Sequence, residues 1–242
     1  MKNSDQTKIL CDMQSQGYSI IPDCISKKSV SAARYEYFQS LTSEDAHPPL
    51  ERFKPIDLIE KPWRKFAIGS KTGNGEPYSQ LLQTTYFSTD LPDYPILSKA
   101  FRRMIEIRNQ LTKMPINFGS DLKKGDFWNA CRAHHYPCGG GHMAPHKDTL
   151  FPKLLADFEF PFIQMLTTLT NRNCDFSYGG GYLVDRNWGK SFFENESNAG
   201  SLIIFDGEIV HGVEDVDPDL LLDMEAKSGR IALFVNLYAN PK

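Results

Sequence analysis

Three side chains in this 242-residue chain have the types and spacing that hold a divalent metal. Four of the six histidines fall between His134 and His146, and the run His146-Lys147-Asp148 closes that cluster. In an extended strand, residues i and i+2 project from the same face. His146 and Asp148 therefore reach one point while Lys147 faces away. By itself this pair reads equally well as an ordinary hydrogen-bonded couple at a strand end. A third donor, His211, follows the turn Asp206-Gly207 at the start of a later apolar run. Two neutral imidazoles and one carboxylate on one side of an ion leave the opposite positions open, the arrangement used by non-haem Fe(II) oxygenases.

A second feature lies in Arg230-Ile231-Ala232-Leu233-Phe234-Val235-Asn236-Leu237-Tyr238, which alternates as a half-buried strand. Ile231, Leu233, Val235 and Leu237 share one face. Arg230, Ala232, Phe234, Asn236 and Tyr238 share the other. A guanidinium on an interior face is costly unless a carboxylate meets it. No acid lies on that face of its own strand, so the partner is either a ligand or an acid from elsewhere in the fold. Ala232 leaves room beside it.

The elements that must position these groups divide the chain in two. Residues 5–16 and 26–40 read as helices separated by the short β-prone run 18–21, with Gly17 closing the first helix. Residues 42–80, rich in Pro, Gly and charge, read as an extended loop, and 97–112 as a further helix. From about Phe127 short apolar runs alternate with turn clusters, at 129–136, 142–146, 161–170, 181–184, 201–205, 211–216 and 230–238. That texture predicts an antiparallel sandwich or barrel. The expected architecture is α+β, one domain over 1–242, in which a mainly helical portion (1–126) buttresses a β core (127–242).

The order of these motifs resembles the Fe(II)/2-oxoglutarate-dependent dioxygenase superfamily. Tyr136-Pro137-Cys138-Gly139-Gly140-Gly141-His142-Met143-Ala144-Pro145-His146-Lys147-Asp148 is similar to the family's tyrosine, glycine turn and His-x-Asp strand. Gly179-Gly180-Gly181-Tyr182-Leu183 resembles its glycine-rich middle strand, and Gly200 to Gly207 leading to His211 its delivery of the distal histidine. The likeness is strongest over 130–238. It implies a double-stranded β-helix (jelly roll), with His146, Asp148 and His211 holding Fe(II) and Arg230 pairing with the far carboxylate of 2-oxoglutarate. Dioxygen is the other cosubstrate, and the implied reaction hydroxylates an unactivated C–H. An acid at position 148 favours hydroxylation over halogenation, since related halogenases carry a small residue there. The 18 residues between His211 and Arg230 exceed the spacing in many relatives, and read as an inserted loop near the active-site rim.

Arg132, His134 and Tyr136 alternate on one face of the preceding strand, and either contact ligand, Tyr136 towards 2-oxoglutarate and the others towards substrate, or make structural hydrogen bonds. Trp128 and Asn236 complete the expected substrate contacts, the latter at the rim because six residues at ~3.3 Å each place it roughly 20 Å from Arg230. The expected substrate is a small polar metabolite, a free amino acid or a derivative. The rival readings are a protein side-chain hydroxylase of the same superfamily and a β-sandwich metal- or sugar-binding module.

Composition narrows the field further. Twenty-seven basic against 30 acidic residues give a net charge of −3, which argues against a nucleic-acid partner. No apolar stretch is long enough to span a bilayer, and the polar amino terminus lacks a signal sequence. Five cysteines with no Cys-x-x-Cys pair read as reduced thiols of a cytoplasmic protein. The run Gly69-Ser70-Lys71-Thr72-Gly73 fails the order of a phosphate loop.

Overall fold

The computed structural model describes residues 3–41, 62–71, 77–89, 91–120, 127–148, 163–184 and 189–239. The chain opens with α1 (Asn3–Gln16), β1 (Tyr18–Ile21) and α2 (Lys27–Ser40). Gly17 ends α1 with φ +89°, and its amide bonds to the Met13 carbonyl, a C′ glycine as its position predicts. Ser26 caps α2, its hydroxyl accepting from the Ser29 amide. Helix α3 (Pro95–Leu111) starts with proline in its first turn. Its exposed amides at Ile96 and Leu97 are satisfied by the Glu36 carboxylate of α2 at 2.8–3.0 Å, which ties the two helices together.

The strands β2 (Trp63–Gly69), β3 (Gln80–Phe87), β4 (Phe127–Tyr136), β5 (Gly141–His146), β6 (Ile163–Thr168), β7 (Gly180–Val184), β8 (Lys190–Phe192), β9 (Leu202–Asp206), β10 (His211–Val216) and β11 (Arg230–Ala239) complete the core. With β1 they form one curled antiparallel sheet, in the order β1-β9-β6-β11-β4-β3-β5-β10-β7-β8, with β2 paired to β3. This is the jelly-roll curl, and it brings β5 and β10 opposite β6 and β11. Cys131, Ala133, Ile231, Leu233 and Val235 point outward, into a core shared with Ala33 and Tyr37 of α2 and Phe101 and Met104 of α3. The even-numbered residues of β4 and β11 point into the curl.

Two expectations need correction. Residues 63–69 are not loop: β2 pairs over its whole length with β3, which in turn pairs with β4 from Gln83↔His135 to Phe87↔Cys131. The sheet therefore begins well before residue 127. Both strands escaped because β3 is buried on both faces and shows no alternation, while β2 lies amid charged and turn residues. Residues 42–61 and 72–76 of that predicted loop lie outside the described residues. The segment after Val216 is also not at the rim. It packs on the turn after β4, with the Gly139 amide bonded to the Asp217 carbonyl and His135 Nε2 to the Ser228 carbonyl at 2.8 Å. His211 begins β10 and Val216 ends it, so this segment leaves from the strand end remote from His211.

Candidate metal centre

Residues His146 and His211 face each other across the β5–β10 pair, with ring centroids 4.4 Å apart. Each ring uses Nδ1 on the carbonyl two residues upstream, Ala144 at 2.9 Å and Ile209 at 2.8 Å. That bond selects the tautomer and turns both Nε2 atoms towards Asp148. His211 Nε2 lies 3.5 Å from Asp148 Oδ2, and His146 Nε2 lies 3.8 Å from Asp148 Oδ1. One ligand atom from each of the three lies within 4.8 Å of the others. Two imidazole nitrogens and a carboxylate oxygen at these separations fit a single octahedral ion with one side open. The phenol ring of Tyr78 stacks on His146 at 4.2 Å and 16°, and Phe205 packs edge-on against His211.

The open side faces a cavity of about 150 Å³ whose walls include Tyr78, Arg132, His134, Tyr136, Arg230 and Tyr238. Arg230 is 1% exposed. Its Nε donates to Glu194 Oε1 at 2.5 Å, and Glu194 Oε2 accepts from the Gly181 amide at 3.0 Å. Of the two alternatives for the arginine's partner, the structure shows the acid from elsewhere in the fold: Glu194, from the turn after β8, takes Nε, while Nη1 and Nη2 have no partner among the described residues. Such a buried donor pair is the arrangement a ligand carboxylate satisfies. The glycines of β7 make the space, since a Cβ on Gly181 would lie 2.5 Å from Arg230 Nη2. The Arg230 guanidinium also lies over the Tyr136 ring, 5.4 Å from its centroid. Burial pushes the Tyr136 phenol up to about 12, so it stays protonated at neutral pH and can donate a hydrogen bond.

His134 sits between the two arginines of the cavity. Burial first, and then the charges of Arg132, Lys65 and Arg230, hold its pKa well below the usual imidazole value. It is therefore a neutral ring, with Nδ1 3.3 Å from the Tyr136 hydroxyl and its face against Phe234.

The remaining expected substrate contacts are placed differently. Trp128 is 4% exposed and packs with Tyr86, Ala130 and Tyr238 rather than against the cavity. Asn236 is not at the rim: it is buried, it accepts from Arg132 Nη2, and it donates to Gln164 Oε1 at 2.6 Å. The distance along β11 was a poor guide because the curl brings β6 back towards β5. Arg132, half-buried, does line the cavity. Sequence reasoning missed Tyr78, Gln164 and Glu194. Only Glu194 left a signal, as an acid shortly after the glycine run in a segment otherwise set by Phe192 and Phe193.

No family model and no curated protein matches the chain. Solved structures do. A prolyl-4-hydroxylase from Pseudomonas putida superposes with a TM-score of 0.56 at 17% identity, covering 98% of this chain and 99% of the other. A prolyl hydroxylase from Trichoplax adhaerens, in complex with a hypoxia-inducible-factor peptide fragment, gives 0.57 at 13% identity over 99% and 94%. SnoN, a non-haem α-ketoglutarate-dependent epimerase of nogalamycin biosynthesis, gives 0.58 at 11% identity over 99% and 87%. At these identities the likeness establishes the fold. The chain shares the jelly-roll architecture of these structures. No helix among the described residues is long and apolar enough to cross a membrane.

Proposed function

We propose that the protein is an Fe(II)/2-oxoglutarate-dependent oxygenase that hydroxylates an unactivated C–H of a small polar metabolite, a free amino acid or a derivative of one. The observation that carries this reading is the His146–Asp148–His211 cluster opening onto the same cavity as the two unpartnered nitrogens of Arg230. His146, Asp148 and His211 would hold ferrous iron. Arg230, held at Nε by Glu194, would take the distal carboxylate of 2-oxoglutarate as a bidentate pair. Bound iron, 2-oxoglutarate and dioxygen together supply the oxidising power, releasing succinate and carbon dioxide.

The protein's own residues then do three things. Glu194 and the Gly181 amide fix the guanidinium plane, so the cosubstrate is bound without reorganisation at the arginine. Tyr136, protonated, offers a hydroxyl beside that guanidinium. Phe205 and Tyr78 cover the imidazoles and limit water at the ligands. The cavity wall of His134 and Tyr238 supports a polar substrate.

The test is succinate release with ferrous iron and 2-oxoglutarate across a panel of free amino acids and unstructured peptides. Stimulation by a free amino acid is the expected result. Stimulation by peptides alone would move the substrate to a protein side chain. Absence of any iron-dependent 2-oxoglutarate turnover or binding would leave a metal-binding module.

A further inference from the structure

The Asp148 carboxylate is the end of a hydrogen-bonded line that crosses three adjacent strands. Its Oδ2 accepts from Gln164 Nε2 of β6 at 2.5 Å. Gln164 Oε1 accepts from Asn236 Nδ2 of β11 at 2.6 Å, and Asn236 Oδ1 accepts from Arg132 Nη2 of β4. Gln164 and Asn236 are each 4% exposed. Arg132 meets Asn236 on the inward face of the β4–β11 ladder.

The direction of this line is dictated by its ends. A guanidinium can only donate, so the Asn236 oxygen must turn to Arg132 and its nitrogen towards Gln164. A carboxylate can only accept, so the Gln164 nitrogen must turn to Asp148. Amide orientations that are otherwise ambiguous are therefore fixed by chemistry. A half-buried positive charge is also connected to a half-buried negative one through two buried neutral amides.

We propose that Gln164, Asn236 and Arg132 are positioning residues for the metal centre: a directed relay that sets the rotation of the Asp148 carboxylate relative to His146 and His211. The inference rests on the metal site proposed above and moves Arg132 and Asn236 from substrate contact to support of a ligand. Partners of metal ligands in such outer positions typically change metal affinity 10–100-fold when removed. The relay also predicts a dependence on hydrogen-bond polarity that packing alone does not. In Asn236→Asp the new carboxylate still accepts from Arg132 but cannot donate to Gln164. The Gln164 amide must then turn its nitrogen to residue 236 and its oxygen towards Asp148.

The experiment is calorimetric titration of the full chain with Co(II), alongside thermal unfolding of the metal-free proteins to verify that each variant folds. The wild type is expected to bind one Co(II). Gln164→Leu should bind at least tenfold more weakly, and Asn236→Asp several-fold more weakly despite its near-identical shape. In the double variant Gln164→Leu/Asn236→Asp the second change should cost no further affinity, because its path to Asp148 is already cut. Wild-type affinity in folded Gln164→Leu and Asn236→Asp, or additive losses in the double variant, would overturn the relay while leaving the metal site intact. Failure of the wild type itself to bind Co(II) would overturn both.

Discussion

The ribbon of β4 and β11 has two faces built to opposite rules. On the outer face, Cys131, Ala133, Ile231, Leu233 and Val235 are all fully buried and belong to an apolar cluster that includes Ala33 and Tyr37 of α2 and Phe101 and Met104 of α3. On the inner face, the same ten-residue register carries Arg132, His134, Tyr136, Arg230 and Asn236. Here charge, neutral imidazole and amide are packed where a fold would ordinarily place leucine. The outer side has its own buried arginine, Arg108 of α3, whose Nε and Nη2 donate to the amide oxygens of Asn109 and Asn129 and whose Nη1, like the two Nη atoms of Arg230, has no partner among the described residues. Burial lowers its pKa to about 10, still protonated at neutral pH. Arg230 differs in having a carboxylate on Nε and two nitrogens left over. The outer arginine bonds to neutral amides away from the cavity, whereas the inner one lines the cavity that the metal cluster faces.

The largest effect that would break this comparison comes from Arg230→Met. Removing one partner of a buried ion pair leaves Glu194 uncompensated, at a cost of about 3–5 kcal/mol. Binding of 2-oxoglutarate, measured by calorimetry in the presence of Mn(II), should fall by at least 100-fold. Arg230→Met/Glu194→Met is the sharper variant, because it replaces the whole pair with apolar groups and should recover most of the stability. Binding should not recover. A double variant that regains 2-oxoglutarate would show that Arg230 is only structural.

A change on the outer face should do the reverse. Leu233→Ala opens space among Phe101, Met104 and Met165 in a core where Leu233 is wholly buried. The expected loss is about 2–5 kcal/mol by chemical denaturation, with Mn(II) and 2-oxoglutarate affinities of the folded protein unchanged. Weakened ligand binding in this variant would mean that the two faces are mechanically coupled.

This division explains what was legible in the sequence. The alternation of β11 was readable because its odd residues are uniformly apolar, and the i, i+2 rule paired His146 with Asp148, although β5 ends at His146 and Asp148 reaches the same point from just beyond the strand. His211 was readable because it follows a turn and opens an apolar run. Gln164 was not, and Glu194 only as an acid near the glycine run, since each owes its role to a neighbour distant in sequence, Asp148 for one and Arg230 for the other. Nothing in Ile163–Thr168 marks Gln164 as other than a polar residue in a strand. Strands β2 and β3 were missed for a related reason: their register comes from pairing, β3 with β4 and β2 with β3, not from a pattern of their own.

The smallest expected effect separates two adjacent histidines. His134 faces the cavity. His135 faces the helices, edge-on to Tyr37 and Phe38, with Nε2 on the Ser228 carbonyl. Burial lowers the His135 pKa, the Ser228 carbonyl opposes this, and Arg34 adds to the lowering. Its unfolded value is about 6.5, so below that pH the unfolded chain binds a proton that the folded chain resists. The contribution of His135 to stability is therefore complete above about pH 6.5 and is lost as the pH falls through the window beneath it. One such group gives a slope of at most about 1.4 kcal/mol per pH unit. His134, lowered for its own reasons, adds a second slope of the same sign. His135→Gln removes the titrating group from the outer face, and should flatten the acid limb between pH 6.5 and 5 by up to the slope of one group. Denaturant unfolding across that range measures it. An acid limb unchanged in His135→Gln would place the titration wholly on the inner face.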